Sequence, residues 1–176
     1  MTISKPVPSD ANDEEFEVGP KPAAPRPGLS LKARAVGLLS RREHSRLELE
    51  RKLAPHAENP EQLAEVLDDL ARAGWQSDTR FVQGWVHRKA PSHGLARIAQ
   101  DLKMQGVSQD KITAIQEELK ESELSRAKAV WSKKFSRSGS PLTPSEYARQ
   151  GRFLASRGFS TDIIRRVLKD TEQHED

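Results

Sequence analysis

An internal register repeated three times constrains this chain more than any other feature. Leu53 and Leu63, Leu102 and Ile112, and Leu154 and Ile164 are each ten residues apart, and three residues further on lie Val66, Ile115 and Val167. The match runs without a gap across two helical stretches and the turn joining them. Self-similarity at a fixed spacing marks one supersecondary unit repeated along the chain. The turn recurs in the later copies as Gly106-Val107-Ser108 and Gly158-Phe159-Ser160. In each, glycine suits the left-handed residue after a helix, the apolar residue folds back onto that helix, and serine caps the next. One position breaks the pattern, because Leu49 and Ile98 are matched by Gln150. The third unit is therefore expected either to shift its packing or to expose that face.

From Leu31 onward apolar residues recur every three or four positions, and no segment alternates long enough for a strand. The expected fold class is all-α. Leu31, Ala35, Leu38 and Leu39 mark a first helix. Ser45 with Glu48 resembles a capping box for a second, which carries Leu49 and Leu53. Asn59-Pro60 is an N-cap and N1 pair for a third, which stops at Gly74. The same order returns from Ser77 or Asp78 and again from about Glu123, with a Ser/Gly/Pro loop over residues 136–144. We therefore expect three tandem three-helix units, at 31–74, 75–121 and 122–176, forming an elongated, curved molecule. Only 35% of residues are hydrophobic and 31% are charged, which favours thin units sharing faces over one thick core. A unit of this size is marginal alone and gains stability by docking on its neighbour.

Residues 1–30 hold six prolines and the acidic run Asp13, Glu14, Glu15 and Glu17 around Phe16. Such a segment cannot bury enough surface to offset its ordering entropy, so it reads as a disordered, acidic, proline-rich tail. The absence of cysteine excludes disulfides and thiolate metal sites, and no apolar run suits a signal or a membrane span. A cytoplasmic location with no membrane contact is the expectation.

Catalytic constellations are missing. The five histidines show no pairing at i, i+4 and no HExxH, and the ten glycines form no phosphate loop. Glu65, Asp68 and Asp69 share one predicted helix, but with no nucleophile or metal set beside them they read as a solvated face. Serine next to histidine at His44-Ser45 and Ser92-His93 falls at helix boundaries, where capping explains the serine. No enzyme activity, cofactor or metal is expected.

Cations are the informative feature. Arg41, Arg42 and Arg46 cluster where the first helix meets the second; Arg88 and Lys89 hold the corresponding end in the second unit, and Lys133, Lys134 and Arg137 in the third. From Glu123 to Phe159 eight Lys or Arg face two acids, a local net charge of +6. Two readings stay open: helix C-termini favour cations through the macrodipole, or stacked units align these corners into one ridge for an acidic partner. Trp85 and Trp131, both on first helices, read as core packing or as partner hot spots.

Several stretches resemble the RecX family. The run Leu38-Leu39-Ser40-Arg41-Arg42-Glu43-His44-Ser45 with Glu48-Leu49 and Lys52-Leu53 is similar to the opening of that family, and Gly74-Trp75, Asp78, Arg80-Phe81 and Val86 follow its next block. Gly94, Arg97-Ile98, Leu102 and Gly106-Val107 fit the middle repeat; Arg152-Phe153-Leu154 and Arg157-Gly158-Phe159 fit the last. The match covers residues 31–168. Trp75 replaces a usually smaller aromatic, and the extended tail is a departure. The resemblance implies a regulator that binds RecA filaments on single-stranded DNA and lowers ATPase and strand exchange. Arg41, Arg42, Arg46, Arg80, Arg88, Lys89, Lys133 and Lys134 are then the candidate contacts to RecA or to single-stranded or duplex DNA, with the protein acting as a monomer. The competing expectation is a helix-turn-helix DNA-binding regulator. Its recognition helices would open with Glu61-Gln62 or Gln109-Asp110, poor equipment for approaching phosphate.

Overall fold

The computed structural model describes residues 28–135 and 143–172, with the side chains of 171 and 172 left aside. The proline-rich tail and most of the 136–144 loop, Arg137 included, lie outside the described residues. The described chain is helical throughout, with no strand: α1 (Leu31–Leu39), α2 (Arg46–Leu53), a 3-10 turn (Ala54–His56), α3 (Pro60–Arg72), α4 (Asp78–Lys89), α5 (Leu95–Met104), α6 (Gln109–Lys120), α7 (Glu123–Phe135), α8 (Pro144–Ser156) and α9 (Thr161–Glu172). None of these helices is long and apolar enough to cross a membrane.

Three separate hydrophobic clusters follow the chain in order. Leu31, Ala35, Leu49, Leu53, Leu63, Leu67 and Leu70 fill the first. Phe81, Val82, Ile98, Leu102, Val107, Ile112 and Ile115 fill the second, and Ala127, Val130, Leu154, Phe159 and Val167 the third. The repeat register is the reason: Leu53, Leu102 and Leu154, at one position, are all buried. Each such side chain contributes about 1.5–3 kcal/mol through removal from water. Successive cores are thus strung along an elongated molecule.

The caps mostly follow the sequence. Asn59 accepts from Gln62 N–H at 2.7 Å with Pro60 at N1, and Ser77 caps α4. Gly74, Gly106 and Gly158 take φ of 75°, 75° and 85°, and the next residue's N–H turns back to Leu70, Leu102 and Leu154. Two details differ. Ser45 accepts from Glu48 N–H at 3.1 Å, but the Glu48 carboxylate does not return to Ser45, because Arg42 and His44 engage it. Ser108 sits at the N-cap of α6 without a side-chain capping bond. A full capping box occurs instead at Thr143–Glu146, opening α8.

Gln150 does not expose the face. It is fully buried, and its Oε1 accepts from Trp131 Nε1–H at 2.6 Å. An indole that needs an acceptor explains a polar residue where the other units place Leu or Ile. Trp85 and Trp131 are both partly buried against their cores, in line with the packing reading.

Candidate partner-binding surface

Both junctions between units are built alike. The first residue of the next unit's opening helix is an acid that reaches back to the preceding unit's second helix. Asp78 accepts from Arg46 N–H at 3.1 Å, and Glu123 accepts from Leu95 N–H at 3.0 Å. Each carboxylate satisfies an orphan donor at a positive helix end. The glycine turn after α5 then seats on α2, and the turn after α8 seats on α5: a Cβ on Gly106 would lie 2.8 Å from Leu47 Cβ, and one on Gly158 2.4 Å from Arg97 Cβ. The second junction is the tighter. Gly94 N–H donates to Arg157 O at 2.9 Å and Ala96 N–H to Gly158 O at 3.2 Å. Arg126 donates to the carbonyls of Ala90, His93 and Leu119 at 3.0, 2.7 and 3.3 Å. Burial pushes its pKa down against the pull of Glu123, yet guanidinium stays charged at any ordinary pH.

These junctions decide where the candidate cations go. In the first unit, and at Arg80 where the second begins, they meet acids. Arg42 forms an ion pair with Glu48, Arg46 pairs with Asp68 at 2.7 Å, and Arg80 pairs with Glu43 at 2.6 Å while donating to the carbonyls of Gly74 and Trp75. Arg80 therefore ties the second unit to the first. Behind Arg42 lies His44, 3% exposed, its Nδ1 3.0 Å from Glu48 but poorly aligned for a hydrogen bond. Burial pushes the His44 pKa down, opposed by Glu48. Burial also works against the Glu48 carboxylate, but Arg42 and His44 together hold its pKa below the usual value. Arg41 is exposed and makes no ion pair among the described residues.

The other candidate cations of the second and third units, Lys133 apart, rest on rings. Arg88 and Lys89 lie 6.0 and 5.7 Å from the Trp85 centroid; Lys134 is 4.1 Å and Arg157 5.2 Å from that of Phe153, and Arg149 is 5.8 Å from that of Phe135. Cation–π contact steadies a charge without neutralising it. Among the described residues none of these five, nor Lys133, forms an ion pair. Lys133, Lys134 and Arg157 line one concavity with Pro91, Ser92, Ala129, Val130 and Phe153. Lys89 and Arg157 both act on His93, whose pKa is lowered first by burial and then by these charges. The α4–α5 turn thus brings the basic end of the second unit to that of the third. Arg149, Arg157 and Phe153 were not singled out as contacts from the sequence; the left-handed glycine beside Arg157 was the available signal, since it draws that turn against α5.

Among the described residues no group of three His, Asp or Glu could hold a metal. Ser92 and His93 do touch, at 2.8 Å, but His93 Nδ1 is also 3.3 Å from Lys89 O, a turn-closing arrangement. The surface offers positive charge and apolar relief, with no assembled nucleophile.

Comparison with known proteins agrees with this architecture. Residues 77–115 match the model of the RecX second three-helix domain, and residues 121–168 that of the RecX third three-helix domain. The chain is 47% identical to the regulatory protein RecX of Ralstonia nicotianae over 85% of its own length and 93% of that protein's. It is 47% identical to the RecX of Leptothrix cholodnii over 88% and 97%. The crystal structure of RecX from Lactobacillus salivarius superposes with a TM-score of 0.70 at 18% identity, covering 81% of this chain and 95% of that one. Identity of this extent, carried on the same succession of three-helix units, makes the chain a member of the RecX family of regulatory proteins.

Proposed function

We propose that this protein regulates the RecA recombinase, binding RecA filaments on single-stranded DNA and lowering their ATPase and strand-exchange activity without chemistry of its own. The observation that carries the reading is the placement of Lys89, Lys133, Lys134 and Arg157 around one turn at the second junction, three of them resting on rings and none paired with an acid among the described residues. A filament presents repeated acidic protein surface and phosphate, and a tandem array meets a repeated partner at several points. We take residues 31–74, 75–121 and 122–176 as the three units, each offering one corner.

Arg41, Arg88, Lys89, Lys133 and Lys134 are the contacts ready to engage in this reading. Arg42, Arg46 and Arg80 would have to exchange Glu48, Asp68 and Glu43 for a partner's acids, so they contribute less to affinity. Against a helix-turn-helix reader of duplex sequence, Gln62 Oε1 accepts from Glu58 N–H and Gln109 Nε2 donates to Thr113, so the amides at both candidate helix starts are occupied locally. The test is RecA ATPase on single-stranded DNA with increasing protein, beside binding to random duplex. Inhibition at substoichiometric protein is expected, weakened several-fold by Lys133→Glu with Lys134→Glu. Untouched ATPase with strong preference for one duplex sequence would overturn the reading.

A further inference from the structure

The cationic concavity is one end of a longer trough. It shares Pro91 and Ala129 with a concavity lined by Val86, His87, Ala90, Ser125 and Arg126. That one shares Val86 and His87 with a third, lined by Thr79, Val82, Gln83, Lys111, Ala114, Ile115 and Glu118. Helix α4 and its C-cap floor the two concavities beyond the cationic one from Thr79 to Ala90, eleven helical steps or roughly 16 Å. The trough is polarised: cations gather at the α7–α8 end, the middle is Val86, Ala90, Pro91 and Ala129, and the far end mixes Val82 and Ile115 with Lys111 and Glu118.

We propose that this trough is a peptide-binding groove, and that its occupant is a protein segment whose carboxylates lie at the Lys133–Lys134–Arg157 end and whose apolar side chains follow along Val86 to Ile115. Charge complementarity at one end selects acids, and the apolar middle gains only from side chains that can be removed from water. Nucleic acid fits the same surface poorly. Its phosphates recur along the whole strand, whereas the middle of the trough carries no free cation: Arg126 is spent on three backbone carbonyls. Base stacking needs an open ring, and Phe153 is approached by both Lys134 and Arg157. About five or six extended residues, or about three helical turns, would span the part of the trough along α4.

The groove goes beyond the proposed action on RecA, and its test needs no RecA. The probe is a fluorescein-labelled synthetic peptide of four glutamates followed by Ala-Leu-Ala-Ala-Leu-Phe, titrated with the full chain and read by anisotropy. Replacing the probe's glutamates by glutamine, or making Arg157→Gln in the protein, is expected to weaken binding at least tenfold. The decisive variant is Ala129→Arg, at an exposed residue shared by two concavities, which blocks the middle while adding a cation. It is expected to weaken the peptide at least tenfold. Tighter peptide binding on Ala129→Arg would overturn the groove in favour of simple charge attraction. Displacement of the peptide by oligothymidylate, with Ala129→Arg strengthening the oligonucleotide, would overturn it in favour of a nucleic-acid surface.

Discussion

Alanine at Gly74, Gly106 and Gly158 is expected to cost three different amounts, although all three glycines share nearly one backbone conformation. The common part is the left-handed strain of an L side chain, about 1–2 kcal/mol. At Gly74 nothing lies within 4 Å of a built Cβ, so the common part is the whole effect. At Gly106 the new atom would sit 2.8 Å from Leu47 Cβ and 2.9 Å from its Cδ2, and overpacking adds about 1–3 kcal/mol. At Gly158 it would meet Arg97 Cβ at 2.4 Å and Arg97 N at 2.5 Å, atoms fixed by the start of α5. The third unit must then back away, which endangers the Gly94–Arg157 and Ala96–Gly158 hydrogen bonds. Overpacking of about 1–3 kcal/mol and two lost hydrogen bonds at about 0.5–1.5 kcal/mol each bring the total to about 3–8 kcal/mol. Equilibrium urea unfolding, followed by far-ultraviolet circular dichroism, gives the three values directly. The order Gly74, Gly106, Gly158 is expected, with the last splitting the transition as the third unit uncouples. Equal shifts at all three would refute the claim that backbone approach sets the junctions.

Arg126→Met removes the donor for three carbonyls at the second junction and is expected to destabilise by about 2–4 kcal/mol in the same assay, more than Arg97→Met, whose side chain pairs only with Asp101 on its own helix. Trp131→Phe strands a buried Gln150 and is expected to cost about 1–3 kcal/mol; adding Gln150→Leu is expected to recover most of it, and no recovery would show that the pair is not the reason for the glutamine. His44, His93 and Glu48 all have depressed folded pKa values, so each contributes stability that is complete above its unfolded value and lost as pH falls through the folded one. Melting temperature is therefore expected to drop in two stages on acidification, first below the ordinary histidine value of 6.5 and then below the ordinary carboxylate value of 4.5. His44→Asn is expected to shrink the first stage without abolishing it, and an unchanged first stage would place its cause elsewhere.

Much of this architecture was readable from residue order because it depends on local periodicity. Leucines and isoleucines at three- and four-residue spacing specify helices whatever surrounds them, and glycine before an apolar residue and serine specifies how one helix ends and the next begins. Hence the all-α class, the three-fold register and the Asn59, Ser77 and glycine boundaries were all legible, and the RecX resemblance rested on the same stretches. Gln150 shows the limit. Along the chain it reads as a broken pattern, and only the position of Trp131, nineteen residues away, turns it into a buried acceptor.

The cations show the same limit for function. Sequence placed a basic cluster at the end of each opening helix and could not separate them, because an arginine's availability depends on what folds beside it. Folding sets Asp68 against Arg46, Glu43 against Arg80 and Phe153 against Lys134, while Trp85 lies within one helical turn of Arg88 and Lys89. Carboxylates quench a charge and rings leave it available. The Glu43–Arg80 pair, the matching carboxylate clamps of Asp78 and Glu123, and the trough between α4, α6 and α7 come from contacts between segments some thirty residues apart, which no spacing within one helix encodes.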